Sequence, residues 1–465
     1  MTKPITVRPG PTLQAGEMPV VSPVPAAPDR PSRLPAELVR ASLRNSIKDA
    51  VAWSVMYGAG TSYVTPYIVL GGKDLLYIAA FAGLPALAGA LLQWLSANVT
   101  DMVGHRNRII VPTAFLQALT WLPMCIAIFL PFDAVGYWVV LAAFVVNIAL
   151  ANFAGPPWQS IMGDLVPPER RGRYFGIRTA LSGAVQVGAF FGAGAWLTWC
   201  TERGGWAPWG LSGRNFGFLV LFAIAGVARF VSAWYLSRVH EPEYRQVATD
   251  RFSLLDFIRR APRAHFGRFV FYCMIINAGL GAVVPFLGWY LLGQLQFTPA
   301  AFAAVLAMSQ LSGVLTQPLW GRLVDRLGSK RVLAIGGIGL VFVPLLLLVC
   351  RDFWAFMVVM AYEGVLNAAF SNAVGNYLYD VVTPPKRARC AAYYSMFVAL
   401  GTLVGSFGAA LLGTYAPVPL DVGGFGIVQP FTWLLLCSAL LRLAANVLLL
   451  GTFEEFRLRR PAFET

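Results

Sequence analysis

Apolar runs of roughly twenty residues, bounded by charges or turn residues, recur along almost the whole chain. A helix of that length crosses the hydrocarbon of a bilayer, and inside lipid only helices and closed barrels satisfy every backbone hydrogen-bonding group. Twelve spans are predicted, at 46–71, 75–98, 109–131, 134–162, 174–200, 215–238, 268–294, 298–320, 332–350, 353–379, 389–416 and 428–451. Only 12% of the 465 residues are charged, where a soluble domain carries about 25%. The fold class expected is therefore an all-α polytopic membrane protein.

Basic residues orient it. Thirty of the 36 Lys and Arg fall in the two tails, in the loops after spans 2, 4, 6, 8 and 10, or in the span ends beside them (Lys48, Arg178, Arg238, Arg268 and Arg389), against four in the opposite loops. By the positive-inside rule both termini are cytoplasmic. The net charge of +14 then reflects topology and anionic lipid headgroups rather than a nucleic-acid partner. Residues 1–44 hold nine prolines and no signal-like apolar core, and read as a disordered cytoplasmic tail. No Cys pair has redox or metal spacing, and the three histidines lie in polar loops, so no metal or other cofactor is expected.

The chain is written twice. GAGTSYVTPY at 58–67 answers NAGLGAVVPF at 277–286, and DLVPPERRGR at 164–173 answers DVVTPPKRAR at 380–389. Arg229 precedes Glu241 by twelve residues, as Arg442 precedes Glu454. These offsets divide the chain into a six-helix half at 45–238, a cytoplasmic linker at 239–267, a second half at 268–452 and a tail at 453–465. Six crossings restore the starting side, so the halves form a parallel repeat about the membrane normal. Phe252 to Arg263 in the linker suits a short amphipathic surface helix.

GRLVDRLGSKR at 321–331 resembles the loop signature that the major facilitator superfamily carries after spans 2 and 8. It matches at Gly321, Asp325, Arg326, Gly328 and Lys330, and departs at Ser329. The first copy, ANVTDMVGHRNR at 97–108, keeps Asp101, Gly104 and Arg106 but has Ala97 and Met102 elsewhere in the pattern. The loop with Asp164, Arg171 and Arg173 is also similar to that family, and its repeat supplies Asp380, Arg387 and Arg389. The resemblance covers about 45–457 and implies two pseudo-symmetric six-helix halves that rock around a midplane site. It also implies that these charged loops form a cytoplasmic latch, with Asp325 facing Arg387 and Arg389 or their mates.

Ionisable groups inside spans are costly and mark candidate function. Glu363 lies about ten residues into span 10, roughly 15 Å deep. Asn367 and Ser371 follow on the same helical face. The resemblance implies that spans 1, 4, 7 and 10 line the cavity, which makes Glu363 the candidate coupling residue, with Asp49 at the mouth of span 1 as a second. Candidate substrate contacts are Asn147, Asn152 and Gln159 in span 4, Asn277 in span 7, Gln310 and Gln317 in span 8, and Tyr57 and Tyr63 in span 1. Arg229 and Arg442 are repeat mates on spans 6 and 12 and read as structural.

These features point to a secondary active transporter of a small solute, proton-coupled, resident in the cytoplasmic (inner) membrane and complete as a monomer. A uniporter or a multidrug exporter is the alternative, and a non-transporting sensor of the same fold a further one. Span 5 carries Gly183, Gly188, Gly192 and Gly194, but lacks the Gly-Pro pair of the family's exporter signature. No P-loop and no nucleophile–base pair is present, which argues against an ATP-driven pump and against an enzyme.

Overall fold

The computed structural model describes residues 35–166, 171–202, 208–242, 254–382, 387–415 and 429–454. Of the tail expected at 1–44, residues 1–34 lie outside them, and 36–44 are the start of the first helix. Sixteen α-helices are present among the described residues, and strands are absent. Eleven helical stretches are long and apolar enough to cross a membrane. The twelfth passage is helix α1 (Ala36–Met56), which continues through a π turn at Tyr57–Thr61 into α2 (Ser62–Leu70).

The rest of the first half comprises α3 (Leu75–Val103), α4 (Asn107–Leu119), α5 (Trp121–Ala127), α6 (Tyr137–Leu165), α7 (Arg171–Glu202) and α8 (Gly213–Leu236). Helices α4 and α5 form one passage, broken where the Thr120 hydroxyl bonds Gln117 O at 2.7 Å and Pro123 lacks a backbone donor. Helix α9 (Leu254–Arg260) follows, then α10 (His265–Gly281), α11 (Val284–Gly288) and a π turn at Trp289–Gln294. The second half is completed by α12 (Pro299–Leu327), α13 (Ser329–Leu347), α14 (Phe353–Val381), α15 (Arg387–Tyr415) and α16 (Gln429–Leu448). Span limits agree with the sequence reading to within about five residues, except that α12 runs on to Leu327, past the expected end at 320, and α1 begins at Ala36, ahead of the expected boundary at 45.

Helix α9 is the expected amphipathic segment. Its Phe257 is buried against Phe266, Tyr393 and Phe397, while Ile258, Arg259 and Arg260 are exposed. Arg259 and Arg260 also sit in its last turn, where positive charge suits the helix dipole.

The signature glycines stop helices. Gly104 ends α3 with φ 69°, and Gly328 separates α12 from α13 with φ 95°, a region that side-chain-bearing residues avoid. Behind Gly104, Arg106 is fully buried in a knot of the first half. Its guanidinium donates to Asp164 at 2.6 Å, to Ser160 at 2.9 Å and to Glu241 at 3.1 Å. Glu241 in turn accepts the backbone N–H groups of Arg106 and Asn107, satisfying the open N-terminus of α4. The second half has a lighter version. Ser329 donates to Asp380 at 2.9 Å, and Lys330 bonds Phe453 O.

The two halves meet toward the face opposite the termini. There Thr198 of α7 accepts from Ala300 N of α12 at 3.1 Å, and Ser406 of α15 donates to Ala79 O of α3 at 3.4 Å. Gly194 lies so close to α12 that a Cβ would sit 3.0 Å from Pro299 O. Toward the face carrying the termini, Gly176 of α7 and Gly321 of α12 face open space. The close contacts of α7 with α12 thus gather toward the face opposite the termini.

The Arg106 knot yields a stability prediction. Arg106→Ala leaves Asp164 and Glu241 without their buried counter-charge and should cost about 3 kcal/mol. Thermal unfolding in detergent is expected to shift down by several degrees, with Arg106→Lys recovering part of the loss.

A chamber between the halves and two buried charge networks

A cavity of about 360 Å³ lies between the halves, beneath the face opposite the termini. Residues from α2, α3, α7, α11 and α12 line it, and so does Tyr57 of the first π turn. The π turn falls where Gly58 and Gly60 allow it. A Cβ on Gly58 would sit 2.5 Å from Gln186 O, so its absence lets α7 pack directly against this turn. The roof is aromatic: Phe190 of α7 meets Phe302 of α12 edge-on at 6.5 Å. Tyr63 fixes that roof by donating to Phe190 O at 2.8 Å.

On α12, neighbouring residues serve two sites. Gln310 is exposed to the chamber. Ser309 points to α14, where its hydroxyl donates to the Glu363 carboxylate. Gly364 makes this approach possible, since a Cβ there would sit 2.0 Å from Ser309 O. Arg442 of α16 lies within electrostatic reach of Glu363. Arg442 is buried and donates through Nη1 to Leu340 O at 2.6 Å, while its Nε has no partner.

Arg229, the repeat mate of Arg442, holds a longer network in the first half. It donates to Gln117 at 2.7 Å and to Ser232, and Ser232 donates to Asp49 at 2.6 Å. Arg178 of α7 pairs with the same Asp49 at 3.5 Å and lies over the Trp158 ring. Gln117 continues the chain to Asn147, and Asn147 to Thr120. Five passages are tied together by side chains that would otherwise stand unsatisfied in a low-dielectric interior.

The predicted substrate contacts therefore divide. Tyr57 and Gln310 line the chamber. Tyr63 lies behind its wall, fully buried. Asn147 does not reach the chamber: it is fully buried and spent on Gln117 and Thr120, because an amide inside a helix bundle is cheapest when paired. Asn152 and Asn277 bond carbonyls one turn back on their own helices, Ile148 O and Cys273 O. Gln159, Gln317, Asn367 and Ser371 are exposed on the parts of α6, α12 and α14 toward the face carrying the termini.

Among the latch residues, Arg106 and Asp164 serve the knot within the first half, and Asp380 and Lys330 its counterpart, rather than a tie between halves. Asp325 and Arg326 are exposed, and Arg389 is half-buried. The side chains of Asp101, Arg171, Arg173 and Arg387 lie outside the described residues. Sequence reading missed Gln186, Ser309 and Arg178. For Gln186 the signal was a lone amide in a glycine-rich span, and for Arg178 a cation one turn inside an apolar run.

The model of the Major Facilitator Superfamily matches residues 19–180 and 269–461, one block on each half. The chain belongs to this family of membrane transporters. Among curated relatives, it is similar to multidrug resistance protein MdtG of Dickeya zeae (strain Ech586). The two are 33% identical over 147 residues, 30% of this chain and 33% of that protein. MdtG of Salmonella typhi is 31% identical over 150 residues, 31% of this chain and 34% of that protein. The match thus spans about a third of the length of these relatives. Among solved structures, the nucleoside transporter NupG superposes with a TM-score of 0.61 at 14% identity, over 90% of this chain and 100% of that one. A bacterial homologue of the iron transporter ferroportin, inward-facing, gives 0.63 at 16%, over 89% and 98%. The xylose transporter XylE from E. coli gives 0.60 at 12%, over 90% and 99%. These likenesses establish the fold.

The Ser309–Glu363 contact rests on the absence of a side chain at Gly364. Gly364→Val is expected to push α12 off α14 and to destabilise by about 2 kcal/mol or more. Gly375→Ala, one helix end away and facing open space, should leave the melting temperature unchanged in the same detergent assay.

Proposed function

We propose that the chain is a proton-coupled secondary transporter that exports small amphipathic solutes from the cytoplasm by alternating access. The observation that carries this reading is the chamber itself. It lies between the two halves, and α12 presents Gln310 to it while the preceding residue, Ser309, holds Glu363. Rotating α12 or changing the charge on Glu363 alters both sites, which is the linkage a coupled carrier requires.

Export is favoured by the likeness to proteins named for multidrug resistance and by a chamber walled by aromatic and aliphatic groups. With both termini cytoplasmic, as the distribution of Lys and Arg supports, the described conformation opens inward, ready to load from the cytoplasm or the inner leaflet. Residence in the inner membrane as a monomer accords with one chain holding both halves. Glu363 takes the proton in this reading. The Asp49–Ser232–Arg229 network holds the first half together as a unit, and the exposed Asp325 and Arg326 close against the other half when the face carrying the termini shuts.

Purified protein in liposomes loaded with a pH-sensitive dye tests it. A panel of amphipathic solutes is expected to include compounds that drive proton movement in the wild type. Glu363→Gln should abolish that proton movement while leaving solute binding within a few-fold. If Glu363→Gln moves protons as the wild type does, coupling through this residue is wrong. If solutes cross without protons in either protein, the chain is a facilitator, and if nothing crosses, a sensor.

A further inference from the structure

The chamber has a chemistry that the transport reading does not specify. Its lining holds aromatic rings, aliphatic groups, prolines, three hydroxyls (Tyr57, Ser62 and Thr65) and two amides, and no Asp, Glu, Lys, Arg or His among the described residues. The amides come one from each half, Gln186 on α7 and Gln310 on α12. Each intramembrane charge nearby is committed elsewhere. Glu363 turns to Ser309 on the other side of α12, Arg442 to Leu340 O, and Asp49 to Ser232 and Arg178. One of the three hydroxyls is also spoken for, since Ser62 donates to Tyr57 O at 3.0 Å.

We infer that the chamber selects uncharged aromatic solutes and discriminates against cations and anions of the same shape. This deepens the transporter reading and rests on it. A permanent ion entering this room would leave water without meeting an opposite charge, a penalty that its apolar contacts would have to overcome. An uncharged ring system meets no such penalty. It stacks against Tyr57, Phe190 and Phe302 and gives one polar group to each glutamine, bridging the halves. A volume of about 360 Å³ lies in the range of pockets that enclose drug-sized ligands. Because the two amides sit on opposite halves, a solute that reaches both also ties the halves at the depth where they must pivot.

The test is direct binding to purified full-length protein in detergent, with no dependence on flux. Matched triads are built on several aromatic scaffolds, each as the neutral carbinol, the quaternary ammonium and the carboxylate. Trp53 stacks on Tyr57 at 5.1 Å between ring centres, so tryptophan fluorescence provides a native reporter beside the chamber. Neutral members are expected to bind at least about ten-fold tighter than both ions of their triad. Gln186→Leu and Gln310→Leu should each weaken the neutral member by about two- to ten-fold. Both variants should leave the melting temperature of the unliganded protein unchanged.

Three results overturn the inference: ammonium members binding tightest, equal affinity across a triad, or no binding by any neutral member of the panel. An ammonium preference that Glu363→Gln removes would further show the carboxylate reaching into the chamber. Binding and transport fail separately. Neutral solutes that bind but never cross the liposome membrane leave the selectivity standing and sink the transporter reading. Proton-coupled flux confined to cations does the reverse.

Discussion

A bilayer offers buried polar groups no water, so each charge placed within it has to find its partner in protein. In this molecule those partners are found inside one half at a time. Asp49, Ser232, Arg229, Gln117 and Asn147 form a chain within the first half, and Arg442, Leu340 O and Glu363 belong to the second. What remains for the contact between halves is the packing of α3 on α15 and of α7 on α12, with glycines that let backbones approach, an aromatic edge contact and single hydrogen bonds such as Thr198 with Ala300. Rigid halves joined mainly by non-directional packing can reorient as units, as a carrier with two states requires.

Much of the architecture could be read from the chain because it follows from spacing alone. Apolar length fixed eleven stretches to within about five residues at all but the end of α12, and the offsets of Arg229 and Arg442 placed the halves in register. The first helix was misjudged because its opening stretch, AELVRASLRNS, is helical but polar, so hydropathy does not register it. The site was less legible. Sequence shows that Asn147 is an amide within a span, but not that Gln117 stands opposite to absorb it. Gln186 and Ser309 are ordinary residues whose importance comes from what lies across an interface, which one-dimensional periodicity does not encode. Arg106 was read as part of a latch, and only the fold reveals Glu241 and Asp164 closing around it inside one half.

The pseudo-symmetry is useful where it fails. Both halves carry an arginine at the same place in their last helix, but in the first half it leads through Ser232 to a carboxylate on α1, and in the second it donates to Leu340 O with the α14 carboxylate only within electrostatic reach. The first network is saturated with hydrogen bonds and also recruits Arg178. The second leaves Arg442 Nε without a partner and gives Glu363 a single hydroxyl. Loosely satisfied groups have room to change partners, and the carboxylate so held lies across α12 from the chamber, joined to it through the neighbouring residues Ser309 and Gln310. Duplication therefore supplied two equivalent braces, one of which stands where coupling is possible.

The central claim is that the two halves reorient as units around this chamber. Its most direct test is a pair of distances measured by pulsed electron resonance on protein in which the six native cysteines are replaced. One pair of labels sits at Gly176 and Gly321 near the face carrying the termini, the other at Trp209 and Trp354 on the opposite face; all four lie in open or exposed positions. With a bound solute, the first distance is expected to shorten and the second to lengthen in the same population. Two distances that stay fixed, or that change in the same direction, would contradict alternating access by this chain.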